Sequence, residues 1–268
     1  MLRSLKELER YGVGATDGDI GRVVNFLLDD TWWVVRYLVV ETGGFFEVRR
    51  VLISPIFFGE PDWQAKRFPL ALSMDKIKHS PGIDTDLPVS RQRERVYNNY
   101  FGNAYYWGYA GMWGLGGYPG LLANAKMDEV LAGDPDSAND DLHLRSAEEV
   151  RGYQIQGSDD SIGRVDDFIV DDETWAVRYL VIDTSHWWFG KKVLVSPAWA
   201  TSVSWADRTV HVDMSRQSIK ESPQWHPDEV LDRVYETHLH EYYGRPAYWS
   251  PGRPEDPAAP RHGTTRSR

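Results

Sequence analysis

The chain has 268 residues, a formal net charge of −10 and no cysteine. The acidic balance repels phosphate backbones and anionic headgroups, so no nucleic-acid partner is expected, and the missing thiol excludes disulfides, thiolate metal sites and thiol nucleophiles. Met1–Arg10 carries no apolar stretch of the signal-peptide kind and no run of 18 apolar residues occurs, which sets the expectation of a cytoplasmic protein, with peripheral membrane association left open.

In chain order, Ser4 and Glu7 form a capping box that opens a short helix or turn. Asp17-Gly18 is a turn signal. Gly21–Leu28 reads as a strand with alternating apolar positions, Asp29-Asp30-Thr31 as a hairpin turn, and Trp33–Val40 as a near-continuously apolar strand. Arg50–Ser54 is a further strand that stops at Pro55, and shorter strands are expected around Phe57–Trp63 and Phe68–Leu72. The chain then passes Ser80-Pro81 to an end expected to be exposed, Tyr105-Tyr106-Trp107. Residues 109–143, Gly-rich with aromatics and then acidic, read as a linker.

After the linker the same text returns. Shifted by 142 residues, Leu2–Trp107 aligns with Leu144–Trp249 without a gap, and 37 of the 106 pairs are identical. A repeat of this length is a whole domain rather than a solenoid unit. The expected organisation is therefore a first copy over 1–108, the linker over 109–143, a second copy over 144–250 and a disordered tail over 251–268. Five or six short strands with regular turns in each copy predict a mainly β chain: two tandem small β-barrels with short helical segments. Asp228–Tyr243 is helix-permissive.

Ile20–Val23, Asp29-Asp30, Arg36–Val40 and Val51–Pro55, repeated at Ile162–Val165, Asp171-Asp172, Arg178–Ile182 and Val193–Pro197, resemble the PRC-barrel family. The resemblance covers both copies, and its order, spacing and duplication make it specific. It implies a small barrel that serves as an interaction module, as in the cytoplasmic part of the photosynthetic reaction-centre H subunit and the C-terminal domain of a ribosome maturation factor. The H subunit's transmembrane helix and the maturation factor's RNA-facing domain have no counterpart here, so neither specific role carries over. The expectation is a non-enzymatic assembly scaffold that binds a protein, with self-association as one form of it. The alternative is a peripheral accessory of a photosynthetic or other membrane electron-transfer complex. An enzyme using Asp and His groups is the third class.

Gly21-Arg22 and Gly163-Arg164 open the first long strand of each copy. They either offer an arginine to a partner or, the favoured reading, permit a bend while the arginine lies over the barrel end. Arg36 and Arg178 are expected to pair with the acidic turns at Asp29 and Asp171, an anionic ligand being the alternative. Two adjacent aspartates fall short of the 6–8 oxygens that calcium takes, so no metal and no cofactor are expected. His238, His240 and Glu241 read as a solvated helix face. No catalytic motif is present, and no catalytic residue is assigned. The preferred partner surface is aromatic: Tyr105, Tyr106, Trp107, Trp113, Tyr248 and Trp249, with fold-back of the repeated Tyr-Trp pairs as the competing reading.

Overall fold

The computed structural model describes residues 1–43, 48–82, 89–103, 105–107, 119, 142–185 and 191–250. The chain is mainly β and divides into two compact units, one built on each repeat. The unit boundaries differ from the repeat boundaries. One unit takes Leu5–Glu148 together with Asp172–Ala176; the other takes Met1–Ser4, Glu149–Asp171 and the chain from Val177 onward. Each repeat thus lends its first strand to the unit built on the other repeat.

The unit on the first repeat is a sheet around one long strand, β3 (Gly18–Asp29). One edge of β3 pairs with β4 (Val35–Thr42), which pairs with β5 (Arg49–Ile53), all antiparallel. The other edge is shared. β2 (Gly12–Ala15) covers Gly18–Arg22 and pairs in parallel with β6 (Arg67–Pro69). β8 (Leu142–Ser146), the opening strand of the second repeat, covers Leu27–Asp29 and also pairs with β7 (Val89–Ser90). Without β8, the far half of β3 would present unpaired amides and carbonyls, the usual hazard of an edge strand. Leu144 is fully buried among Leu27, Tyr37, Val39, Leu52, Val89 and Tyr97, a contribution of about 1.5–3 kcal/mol for a side chain of this kind.

The unit on the second repeat uses the same plan. Its long strand β10 (Ser161–Asp171) pairs with β11 (Val177–Asp183), followed by β12 (Lys192–Val195). Its other edge is shared by β9 (Gln154–Gln156), which pairs in parallel with β14 (Thr209–Val212), and by β1 (Leu2–Ser4). β13 (Ala200–Ser204) completes the sheet through β14. The registers match position for position: Leu2 faces Asp171 and Leu144 faces Asp29.

A bulge recurs in both long strands, between Val23 and Asn25 and between Val165 and Asp167. The residue that follows the bulge, Asn25 or Asp167, meets the incoming strand. Asn25 donates to Ser146 at 2.7 Å, and Ser4 donates to Asp167. The hairpin after each long strand closes on a left-handed tryptophan, Trp33 at φ 54° and Trp175 at φ 60°. That backbone is strained for a non-glycine, and burial of the indoles, 8% and 3% exposed, offsets the strain. Trp175 packs against Phe26, Phe58 and Phe68 of the unit to which it belongs.

The mainly β architecture in two sheets follows the expectation, and among the described residues no ladder joins the first and last strands of either sheet. Two local expectations need correction. The strand expected around Phe57–Trp63 is instead a single 3-10 turn, Pro55–Phe57, and two isolated bridges, Phe58 to Leu70 and Asp62 to Arg67. Pro55 fixes a φ suited to the turn and removes a ladder donor. The chain end is also not exposed. A helix, Arg91–Phe101, precedes it in the first repeat, as Arg233–Tyr242 does in the second.

Candidate functional site

In the first repeat the helix Arg91–Phe101 ends at Gly102 in a left-handed cap, φ 78°. Its buried residues Glu94, Tyr97 and Asn98 are spaced three and four apart, so they share one face. That face meets β4. Tyr97 donates to the Leu52 carbonyl at 2.8 Å and Asn98 to the Tyr37 hydroxyl at 3.4 Å. Beyond the cap the chain turns back, and the Tyr106 hydroxyl donates to Glu94 at 3.0 Å. His143 Nε2, brought by the exchanged strand β8, lies 2.7 Å from Glu94 and 3.2 Å from the Tyr106 oxygen. The Arg36 guanidinium sits 4.0 Å from the centre of the Tyr106 ring and 3.4 Å from Asp29.

The network is almost dry. Asp29 and Glu94 are fully buried, Arg36 is 1% exposed and Tyr106 7%. Burial pushes the Asp29 carboxyl up, but Arg36, the Trp32 backbone amide, His143 and Arg91 together hold it below the usual range. Burial, reinforced by Glu94, raises the Tyr37 and Tyr106 hydroxyls well above theirs.

The second repeat builds the counterpart. Asp232 caps the helix Arg233–Tyr242 by accepting from the Tyr235 amide at 2.9 Å. Tyr179 and Tyr248 each donate to Glu236 at 2.9 Å. Arg178 lies 4.2 Å from the Tyr248 ring and 3.3 Å from Asp171. Arg233 stacks 4.0 Å from Trp249. Burial raises the Glu236 carboxyl, against the opposing hydrogen bonds and Arg233, and pushes Tyr248 up to about 12. His240 Nε2 lies 3.0 Å from the Tyr179 oxygen. It is 5% exposed, so the expected solvated face holds for His238 but not for His240.

The structure distributes the sequence candidates as follows. Tyr106 and Tyr248 turn inward onto the networks of their own units, while Trp107 and Trp249 cover Arg91 and Arg233. Tyr105 stacks on Trp107 with ring centres 4.9 Å apart and donates to Asn99. Trp113 lies outside the described residues. Gly21 has φ 153°, and a Cβ there would stand 1.9 Å from the Glu41 carbonyl; the same atom at Gly163 would stand 2.3 Å from that of Asp183. These glycines permit close strand approach. Arg22 pairs with Glu41 at 2.9 Å, and Arg164 donates to the Gly152 carbonyl at 3.0 Å.

Sequence reasoning overlooked Glu94, Glu236 and His143. The glutamates carried a usable signal, since both stand at matching positions of the repeat alongside Arg91/Arg233 and Tyr106/Tyr248. His143 carried none, because its counterpart is Met1. Among the described residues no three His, Asp or Glu side chains are placed to hold a metal ion.

The arrangement is that of a duplicated β domain whose most perturbed ionisable groups are spent inside its own fold. Residues 143–217 match the family model of the PRC-barrel domain, so the chain carries a PRC-barrel domain there. The first repeat shares its strand order, bulge and buried network. No curated protein matches the chain.

Proposed function

We propose that this chain is a non-catalytic assembly scaffold that binds a protein partner through its two PRC-type units. PRC barrels are domains of a protein-interaction type, and no described helix is long and apolar enough to cross a membrane. The observation that carries the reading is the burial of Glu94, Tyr106, Glu236 and His240, each under 8% exposed. These are the groups whose chemistry would suit acid–base work, and a general acid or base must reach its substrate's proton. Instead, Tyr106 donates to Glu94 in the first repeat, and Glu236 and His240 both meet the Tyr179 hydroxyl in the second.

The test is reconstitution. The chain is cross-linked in its native cells, the recovered protein identified, and the complex rebuilt from purified components. A stoichiometric complex without turnover supports the scaffold. A catalytic rate abolished by Glu94→Gln or Glu236→Gln would overturn it, as would failure of every recovered protein to re-form a complex. Recovery only with membrane electron-transfer complexes would replace it with the accessory reading.

A further inference from the structure

Each unit carries a cleft at the same place, where the parallel pair β2/β6 or β9/β14 meets the start of the long strand. The first has a volume of 360 Å3 and the second 440 Å3. Both are lined by cations. The first holds Arg10, Lys66 and Arg67 against one acid, Asp19, which pairs with Arg67. The second holds Arg151, Arg164 and Arg208 against Glu149 and Asp207. By formal charge the first is +2 (three cations less one anion) and the second +1 (three less two), on a chain of −10.

Lys66 and Arg208 occupy matching positions, and both have left-handed backbones, φ 52° and 51°. Each ends a four-residue loop, after Trp63-Gln64-Ala65 and Trp205-Ala206-Asp207. Glycine or asparagine would hold this conformation with less strain. Strain kept at one position in both copies is a feature associated with functional sites. The loops are anchored: the carbonyls of Lys66 and Arg208 accept from the amides of Gly12 and Gln154, both at 2.9 Å, and Trp63 and Trp205 pack on Tyr11 and Tyr153. The loop backbone is fixed while Arg10, Lys66, Arg164 and Arg208 are all solvent-exposed.

From these features we infer a duplicated anion-binding site: the cleft of each unit receives carboxylate side chains from an acidic segment of a protein partner. This rests on the scaffold reading and names the chemistry of its partner. A local positive field on an acidic protein selects the segment that enters and speeds its arrival. The first cleft, with the larger charge, is the stronger.

The experiment titrates the full chain with a labelled hexaglutamate peptide, following backbone amide shifts and anisotropy. The expected result is movement of the amides of Gly12, Gly21, Lys66, Gly152, Gly163 and Arg208, weakened by sodium chloride. Arg10→Glu with Lys66→Glu is expected to lower affinity about tenfold or more, Arg164→Glu with Arg208→Glu by less, and Arg10→Lys with Lys66→Arg to restore binding. Unchanged far-UV dichroism and melting temperature in each variant guard against loss of fold. Shifts elsewhere, or none, would overturn the inference. So would inorganic phosphate displacing the peptide at equal concentration, which would mark a small-anion site. A reconstituted partner complex that survives all four charge reversals would overturn the clefts and leave the scaffold standing. Hexaglutamate binding by a chain that assembles with no protein would overturn the scaffold and, with it, a partner segment as the occupant of the clefts.

Discussion

Asn25 donates a 2.7 Å hydrogen bond to Ser146, 121 residues further along the chain. The Asn25 side-chain oxygen Oδ1 also accepts from the backbone amides of Phe26 and Glu148, at 2.8 and 3.2 Å. One side chain beside the bulge in the first repeat therefore holds the strand that opens the second.

Replacing this residue tests the hold. Asn25→Ala removes three hydrogen bonds at the seat of β8 and is expected to cost about 1–2 kcal/mol. Hydrogen exchange should rise first at Leu144–Ser146. Unchanged protection there would show that the ladder alone retains the strand.

Trp175 is encoded in the second repeat and packs in the unit built on the first. Trp175→Ala is expected to cost about 3–5 kcal/mol, and the loss should appear away from its own repeat. Exchange protection should fall at Val23–Leu28 and around Phe68, with Tyr179–Ile182 little affected. The opposite pattern would contradict the unit assignment.

Acid titration separates the two repeats by sign. Asp29 lies below its ordinary value when folded, so its contribution is present above the unfolded value and is lost as pH falls through the folded one. Asp29→Asn should therefore cost about 3 kcal/mol near neutrality, and the gap to the unmodified chain should close below about pH 4. Glu236 lies above its ordinary value. Its ionised form disfavours the fold, so the unmodified chain should lose stability relative to Glu236→Gln as pH rises through the folded value. Denaturant melts at several pH values measure both, and parallel curves for either pair would refute that assignment.

Gly21 and Gly102 both have positive φ but differ in surroundings. A Cβ at Gly102 meets nothing within 4 Å, whereas one at Gly21 meets the Glu41 carbonyl. Gly102→Ala should cost about 1 kcal/mol, from backbone strain. Gly21→Ala should cost about 3 kcal/mol or more, because β4 must move. Equal losses in chemical melts would remove the steric account.

The long strands were legible because their apolar residues extend over seven or more positions and recur 142 residues later. The chemistry of Arg36 beside Asp29 was legible from hairpin geometry, since the two stand seven residues apart across a turn. The opening strands were not. Leu2–Ser4 has three residues and no period to detect, and its partner Asp171 is far away in sequence. A capping box at Ser4 therefore dominated the reading, although only a four-residue helix, Leu5–Leu8, follows it. The inward turn of Tyr106 and Tyr248 was legible only as a competing reading, because it depends on Glu94 and Glu236 from helices that turn the chain back. An aromatic pair beside glycine looks like a contact surface until its own helix supplies the acceptor.

The strand exchange also fixes an order of events during synthesis. The first repeat cannot finish its sheet when its own last residue leaves the ribosome. It must wait for Leu142–Ser146, and for Trp175 to close its aromatic core. Meanwhile Leu2–Ser4, made well before its partner strand, has no seat until Ile169–Asp171 emerges. The nascent chain thus carries an open strand edge and an unplaced opening strand until the second repeat is made, so Leu2–Ser4 is locked in place only after most of the chain that follows it.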